Sequence, residues 1–256
     1  MNSIRQVAFN EIILGDCLDV MRKFPDESID LIIADPPYLT TNEAWDEKES
    51  FNEEQIIEFF RVLRHSGNLY IWCGIGEKSQ SLIRWFPMID KYFHFKDLIT
   101  WKKSRGIGMR KGWLYTREEI MWFVKDNKRF VWNKENQYST ERRKRDKGKD
   151  TIQPSQNGKF CKSLYKRWTN VWTDISEQTD DVINFVGHYT PKPVKAIERI
   201  IQLHTKENDV VLDPFIGSGT TAIACINTNR NFIGIEISNE YYELAIKRVR
   251  EAFDKV

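Results

Sequence analysis

The clearest pattern of apolar and polar positions lies in the last third of the chain. Asp209-Val-Val-Leu-Asp213 is a short apolar run after a polar turn, closed by Pro214, and predicts a buried strand. Gly217-Ser-Gly-Thr-Thr221 follows, and Ala222 to Ile226 predicts the start of a helix. Asn231-Phe-Ile-Gly-Ile-Glu-Ile237 is a second apolar run. From Asn239 to Phe253, Tyr241, Leu244, Ala245, Val249 and Phe253 recur at a helical period. Strand, glycine loop, helix, strand, helix is a βαβ grammar, which implies a parallel sheet with helices on its faces.

The first third repeats that grammar. Glu11 to Asp16 reads as a strand, and Leu18, Met21 and Phe24 form one helical stripe. Ile29 to Ala34 is a strand stopped by Asp35-Pro-Pro-Tyr38. Asn52 to Leu63 predicts a helix, with Asn52 and Gln55 in the capping-box arrangement. Gly67 to Cys73, Phe93 to Trp101 and Glu119 to Lys125 read as further strands. Between Asp126 and Phe185 the periodicity fades, and Glu141 to Asp150 is nearly all charge. Helical spacing resumes with Val194, Ile197, Ile200 and Ile201, with Pro193 near the first turn. The division this implies is a first core half over 1–125, an insertion over 126–185 with its own task, and a second core half over 186–256.

Composition narrows the class. The 33 aromatic residues exclude a chain disordered throughout. No apolar run approaches the ~18 residues of a membrane span, and Met1 to Leu14 holds no apolar core of a secretory signal. Cys17, Cys73, Cys161 and Cys225 are too few and too far apart for a disulfide scaffold or a zinc site, which suits a reducing cytoplasm. The net charge of +2 hides a division: Lys96 to Arg167 carries 21 basic and 8 acidic residues, and the remainder 18 basic and 29 acidic. The basic block is laced with Trp101, Trp113, Tyr115, Trp132, Tyr138, Tyr165 and Trp168. Positive charge with interleaved aromatics suits a polyanion with stackable bases; the plainer alternative is a solvated basic face.

Two loops carry candidate chemistry. At Gly217 and Gly219 the backbone can approach a ligand, and the helix start behind them offers unpaired N–H groups to an anion. Glu236 ends the next strand, where a carboxylate can accept both ribose hydroxyls of an adenosine cofactor. A nucleotide-triphosphate loop would need a lysine after Gly219, and none is there. Gly217, Gly219 and Ala222 fit a dinucleotide fingerprint, and the loop equally suits S-adenosylmethionine, with the cofactor carboxylate at the helix start. Asp35-Pro-Pro-Tyr38 separates these readings. It follows a strand, so it lies at the carboxyl edge of the sheet, and its two prolines stiffen the loop and remove two donors. The Asp35 carboxylate and the Asp35 and Pro36 carbonyls can aim acceptors at one place beside the Tyr38 ring. That arrangement suits a planar amine such as adenine or cytosine.

Together, Asp35-Pro-Pro-Tyr38, Asp213-Pro-Phe-Ile-Gly-Ser-Gly-Thr-Thr221 and His188-Tyr-Thr-Pro-Lys-Pro193 resemble the amino-methyltransferases of DNA in their permuted beta group. The likeness is greatest to the MboII-type adenine methyltransferases of restriction–modification systems. It covers the chain up to Lys125 and again from Gly187. It implies a Rossmann-like α/β methyltransferase fold, circularly permuted, with a mixed, mostly parallel seven-stranded sheet and an inserted recognition region. It implies S-adenosyl-L-methionine as cofactor, double-stranded DNA as partner, and methyl transfer to the N6 amine of adenine. Asp35, Pro36, Pro37 and Tyr38 are then the catalytic residues. Asp16, Asp35, Thr190, Lys192, Asp213, Phe215, Gly217, Ser218, Gly219, Thr220, Thr221 and Glu236 are placed at the cofactor.

The same resemblance puts Trp101, Lys102, Lys103 and Arg105 near the flipped base and the DNA, while Arg142, Arg143, Lys144 and Arg145 most simply meet phosphates. Asp16 has a second reading as a helix N-cap, and Thr190 and Lys192 as a helix-entry turn. Trp45 and Asp46 are expected in a structural role or a lid. Asp at position 35 goes mostly with adenine in the family, and Ser with cytosine. Cytosine-N4 transfer and a non-catalytic DNA-binding partner subunit remain alternatives. No metal or catalytic histidine is required, and His65, His94, His188 and His204 are scattered. A homodimer and a cognate restriction endonuclease acting on the same site are compatible with the resemblance.

Overall fold

The computed structural model describes residues 9–38, 51–76, 79–107, 113–142, 165–176 and 191–254. Strands β1 (Glu11–Leu14), β2 (Ile29–Ala34) and β3 (Leu63–Cys73) alternate with helices α1 (Cys17–Met21) and α2 (Glu53–Val62). Helix α3 (Ser81–Ile89) leads into a long antiparallel pair, β4 (His94–Ile107) and β5 (Tyr115–Val124). A 3-10 turn (Lys134–Gln137) precedes β6 (Tyr138–Arg142), β7 (Tyr165–Arg167) and β8 (Val171–Trp172). Helix α4 (Val194–His204), β9 (Val210–Asp213), α5 (Thr220–Asn227), β10 (Asn231–Glu236) and α6 (Asn239–Phe253) complete the described chain.

The main sheet has the order β1-β10-β9-β2-β3-β5-β4-β8. Neighbours from β1 to β3 are parallel, β5 is antiparallel to both β3 and β4, and β8 runs parallel to β4. The sheet therefore has eight strands where seven were expected. The extra strand is β8, two residues from the expected insertion that pair Val171 with Thr100 and Trp172 with Trp101. So short a strand has no period to read. β6 and β7 form a separate antiparallel ribbon.

Strand alternation divides the core between two faces. Ile32, Leu69, Leu212 and Ile233 pack with Met21, Ile56, Phe59 and Trp85 under α1, α2 and α3. Leu31, Ile33, Val211 and Phe232 pack with Ile197, Ile200, Ala224 and Ala245 under α4, α5 and α6. The capping box read at Asn52 is present: its side chain accepts from Glu54 N–H, and Gln55 accepts from the Asn52 N–H. Helix α3 lies where no helix was expected, with Pro87 inside it and Gln80 before it at φ 44°. None of the described helices is long and apolar enough to cross a membrane.

Both described ends of the stretch 126–185 are bound into the core. The Val131 N–H donates to the Ser66 carbonyl at 3.0 Å, and His204 Nδ1 donates to the Val131 carbonyl at 2.8 Å. At the other end the Arg199 guanidinium lies 3.6 Å from the Trp168 ring centroid and 4.9 Å from that of Trp172, with Asp174 as its ion-pair partner at 2.6 Å. Cys17, Cys73 and Cys225 are buried thiols, and burial pushes Cys17 up to about 12.

Candidate active site

The strand order reverses between β9 and β2. From β9 the chain steps to β10 on one side, and from β2 it steps to β3 on the other. In an open α/β sheet the crevice at the carboxyl ends of such a pair is where ligands bind. Asp35 follows β2 there, and the loop Pro214 to Gly219 follows β9 beside it.

The glycine loop is built to stay bare. Gly217 has φ 51° and Gly219 φ 85°, the left-handed region that favours glycine. A Cβ on Gly219 would stand 3.3 Å from the Ala245 Cβ on α6, and one on Gly234 would stand 2.9 Å from Ile216, so the loop lies directly on β10. The Asp213 carboxylate braces the turn, accepting from Thr221 Oγ1 at 2.5 Å and from the Phe215 N–H at 3.0 Å. Burial pushes Asp213 up to about 7 despite these bonds, with the charges of Asp35 and Glu236 adding to the shift. Arg248 donates to the Ser218 carbonyl at 2.5 Å.

Glu236 accepts from the Gly217 N–H at 2.9 Å on one oxygen and from the N–H of Ser238, the N-cap of α6, at 2.8 Å on the other. Each oxygen keeps a second lone pair for a ligand hydroxyl. Burial raises the Glu236 carboxyl above its ordinary range. Thr220 Oγ1 is buried at the start of α5 and has no hydrogen-bond partner among the described residues. A backbone cradle, an unsatisfied hydroxyl and a carboxylate one strand away fit a nucleoside cofactor that carries an amino-acid end.

Beside this cradle, four charged side chains meet. Tyr38 Oη donates to Asp35 Oδ1 at 2.5 Å. Lys192 Nζ lies 2.8 Å from Asp35 Oδ2 and 3.2 Å from Glu118 Oε2, and Lys103 pairs with the other Glu118 oxygen. Lys192 is buried, and its ammonium sits 5.4 Å from the Tyr38 ring centroid and 5.2 Å from that of Trp72. Burial alone would push Lys192 down, but Asp35 and Glu118 overcome it and hold it above the ordinary lysine range. Burial alone would raise Glu118, but Lys192 and Lys103 keep it below the ordinary carboxylate range. The Tyr38 ring is half-buried and tilted against Trp85 at 5.9 Å.

The expected site residues divide accordingly. Asp35, Pro36, Pro37, Tyr38, Asp213, Phe215, Gly217, Ser218, Gly219, Thr220, Thr221 and Glu236 gather at one edge of the sheet. Asp16 ends up at that edge as the N-cap of α1, accepting from the N–H groups of Leu18 and Asp19. The Lys192 ammonium, expected at the cofactor, is committed to Asp35 and Glu118.

Trp101 requires a correction. It was expected against DNA, but its ring is buried edge-on to Trp72, and its Nε1 donates to the Ile175 carbonyl at 2.9 Å. Lys103, on the same side of β4, is held by Glu118, while Lys102 between them is exposed. The side chains of Arg105 and Arg142, all of Arg143, Lys144, Arg145 and Thr190, and Trp45 and Asp46, expected in a structural role or a lid, lie outside the described residues. The residue that sequence reasoning missed is Glu118.

The DNA methylase family matches residues 29–247 of this chain, which include the Asp-Pro-Pro-Tyr loop, the glycine loop and Glu236. The chain belongs to that family. It is 34% identical to the DNA adenine methyltransferase YhdJ of Escherichia coli (strain K12), over 93% of this chain and 82% of that one. It is 31% identical to the type II methyltransferase M1.MboII of Moraxella bovis, over 92% of this chain and 95% of that one. The solved structure of M1.HpyAVI in complex with SAM superposes with a TM-score of 0.60 at 25% identity, covering 93% of this chain and 98% of that one. Family membership anticipated from the three motifs is thereby borne out.

Proposed function

We propose that this DNA methylase transfers a methyl group from S-adenosylmethionine to the exocyclic N6 amine of adenine in duplex DNA. The observation that carries the reading is Asp35, aimed by a two-proline loop at the sheet's switch point, directly beside a bare glycine cradle. Gly217, Gly219, Thr220 and Glu236 would hold the cofactor. When bound, S-adenosylmethionine supplies an electrophilic methyl group on a sulfonium.

The chain's own residues do the rest. An aromatic amine is a poor nucleophile because its lone pair is delocalised into the ring. Asp35 and the Pro36 carbonyl accept hydrogen bonds from its two N–H groups and draw the nitrogen toward a tetrahedral form, which localises the lone pair. Tyr38 provides an aromatic wall for the base. Holding amine and methyl group at attack distance supplies a large share of the rate enhancement. The target base must leave the stack to reach Asp35, so base flipping is expected. Adenine is favoured over cytosine by Asp at position 35 and by the 34% identity to an adenine methyltransferase.

The test is transfer of isotopically labelled methyl groups to mixed-sequence duplex DNA, followed by base-resolution mapping. N6-methyladenine at a fixed sequence is the expected product. N4-methylcytosine would replace the base assignment. DNA binding with no incorporation would make the chain a non-catalytic partner subunit.

A further inference from the structure

In the structure both oxygens of Asp35 are engaged, Oδ1 by the Tyr38 hydroxyl and Oδ2 by the Lys192 ammonium. An amine that is to donate to Asp35 meets that ammonium as a competitor. A buried ammonium does not give up an anionic partner unless another stands within reach. Glu118 is that partner. Its Oε2 is buried, 3.2 Å from Lys192 Nζ, and makes no hydrogen bond among the described residues. Its other oxygen is held by Lys103 from the neighbouring strand, so the carboxylate is fixed in place. The next residue, Glu119, faces the other way, accepting from Thr100 Oγ1 at 2.6 Å and pairing with Arg117. Two ammonium groups and two carboxylates make the cluster neutral as a whole, so a neutral amine can join it without unbalancing the charge.

We propose that Glu118 is a positioning residue for methyl transfer: it is the second seat of Lys192, which moves its hydrogen bond from Asp35 Oδ2 to Glu118 Oε2 as the target amine takes Asp35. This rests on the reading of Asp35 given above. Without Glu118, Lys192 stays on Asp35 and the amine is held off its acceptor. Such a displacement at the reacting atoms is what lowers a rate by large factors.

Glu118→Gln keeps the side-chain shape and removes the charge. The experiment measures single-turnover methyl transfer to DNA at saturating cofactor, the cofactor dissociation constant by calorimetry, and the thermal midpoint. The expected result is a rate lowered about tenfold or more, with cofactor affinity within about threefold of wild type and the midpoint unchanged. A wild-type rate overturns the proposal, and so does a rate loss matched by an equal loss of cofactor affinity or by a lowered midpoint, the pattern of a scaffold residue. If Glu118→Gln does not fold, Glu118→Asp decides. It keeps the charge but withdraws the seat by one methylene, so a slower rate at unchanged cofactor affinity supports the proposal and a wild-type rate overturns it. Wild-type protein is assayed first with any methylated base counted. If it transfers nothing, the functional reading fails; if it is active and Glu118 variants match it, only the role of Glu118 fails.

Discussion

The Tyr38 hydroxyl changes what the aromatic residue of the tetrapeptide does. The sequence points to its ring as the neighbour of the acceptors, and the structure adds that its hydroxyl donates to Asp35 Oδ1 at 2.5 Å. A hydrogen bond to a charged group contributes about 1.5–3 kcal/mol. Tyr38→Phe is therefore expected to lower single-turnover methyl transfer by about tenfold or more, and Tyr38→Ala to lower it further by removing the ring as well. Equal losses in the two variants would show that the ring contributes nothing. Asp213 offers a test in stability. Burial raises it to about 7 from an ordinary 3.8, so the folded state binds its proton more tightly than the unfolded chain does. The associated stability is fully present below about 3.8 and is lost as pH rises through about 7. Thermal unfolding should show wild type losing stability between about pH 5 and pH 8 by more than Asp213→Asn loses; parallel profiles would place the group elsewhere. Asp35 and Asp213 were legible because each opens a contiguous motif. Glu118 was not, since Lys103, Glu118, Lys192 and Asp35 come together only through the pairing of β3, β5 and β4 and the entry to α4.

Among the elements, the regular ones were readable from their periods. Helix α6 occupies the expected span Asn239–Phe253, and the strands that open and close the βαβ unit fall within a residue of expectation. Helix α3 escaped because Pro87 interrupts what would otherwise be a helical pattern. The resemblance points Trp101, with its neighbouring lysines, to the flipped base and the DNA, whereas its ring is buried. The period of two along β4 carries the correct signal: Trp101 and Lys103 share the inner side and Lys102 faces solvent. The strand–loop–helix unit from β9 to α5 gives a prediction of its own. Gly219→Asp adds a side chain at φ 85°, 3.3 Å from Ala245, and a negative charge at the helix start. It should abolish cofactor binding while the protein remains folded. Glu236→Ala removes the acceptor at the end of β10 and should weaken binding by about 1.5–3 kcal/mol. Calorimetry showing wild-type affinity in both variants would remove the cofactor from this loop.

On the scale of the whole molecule, the proposed function gives the basic block a role at DNA, although Lys103 and Glu118 of that block belong to the Asp35 cluster. Phosphate contacts give affinity without sequence information, so neutralising Arg142, Arg143, Lys144 and Arg145 should weaken specific and non-specific binding alike. Each lost contact should flatten the slope of log K against log salt by about 0.9. Base reading must then come from other side chains, and β6 and β7 form a two-stranded ribbon separate from the main sheet within the basic block. The structure also says where to cut. Val131 and Asn133 are hydrogen-bonded to the core, and Trp168, Trp172 and Asp174 close around Arg199, so exchanging the whole of 126–185 would break contacts of the catalytic body. Exchange of Tyr138 to Arg167, whose two ends pair across the ribbon, leaves those contacts in place. A hybrid carrying that span from a relative should methylate the relative's sequence, with the same amino group modified and cofactor affinity unchanged. If it is folded and active but still methylates the original sequence, recognition lies outside the ribbon. The segment joining β4 to β5, in which Trp113 is 93% exposed, then becomes the stretch to exchange.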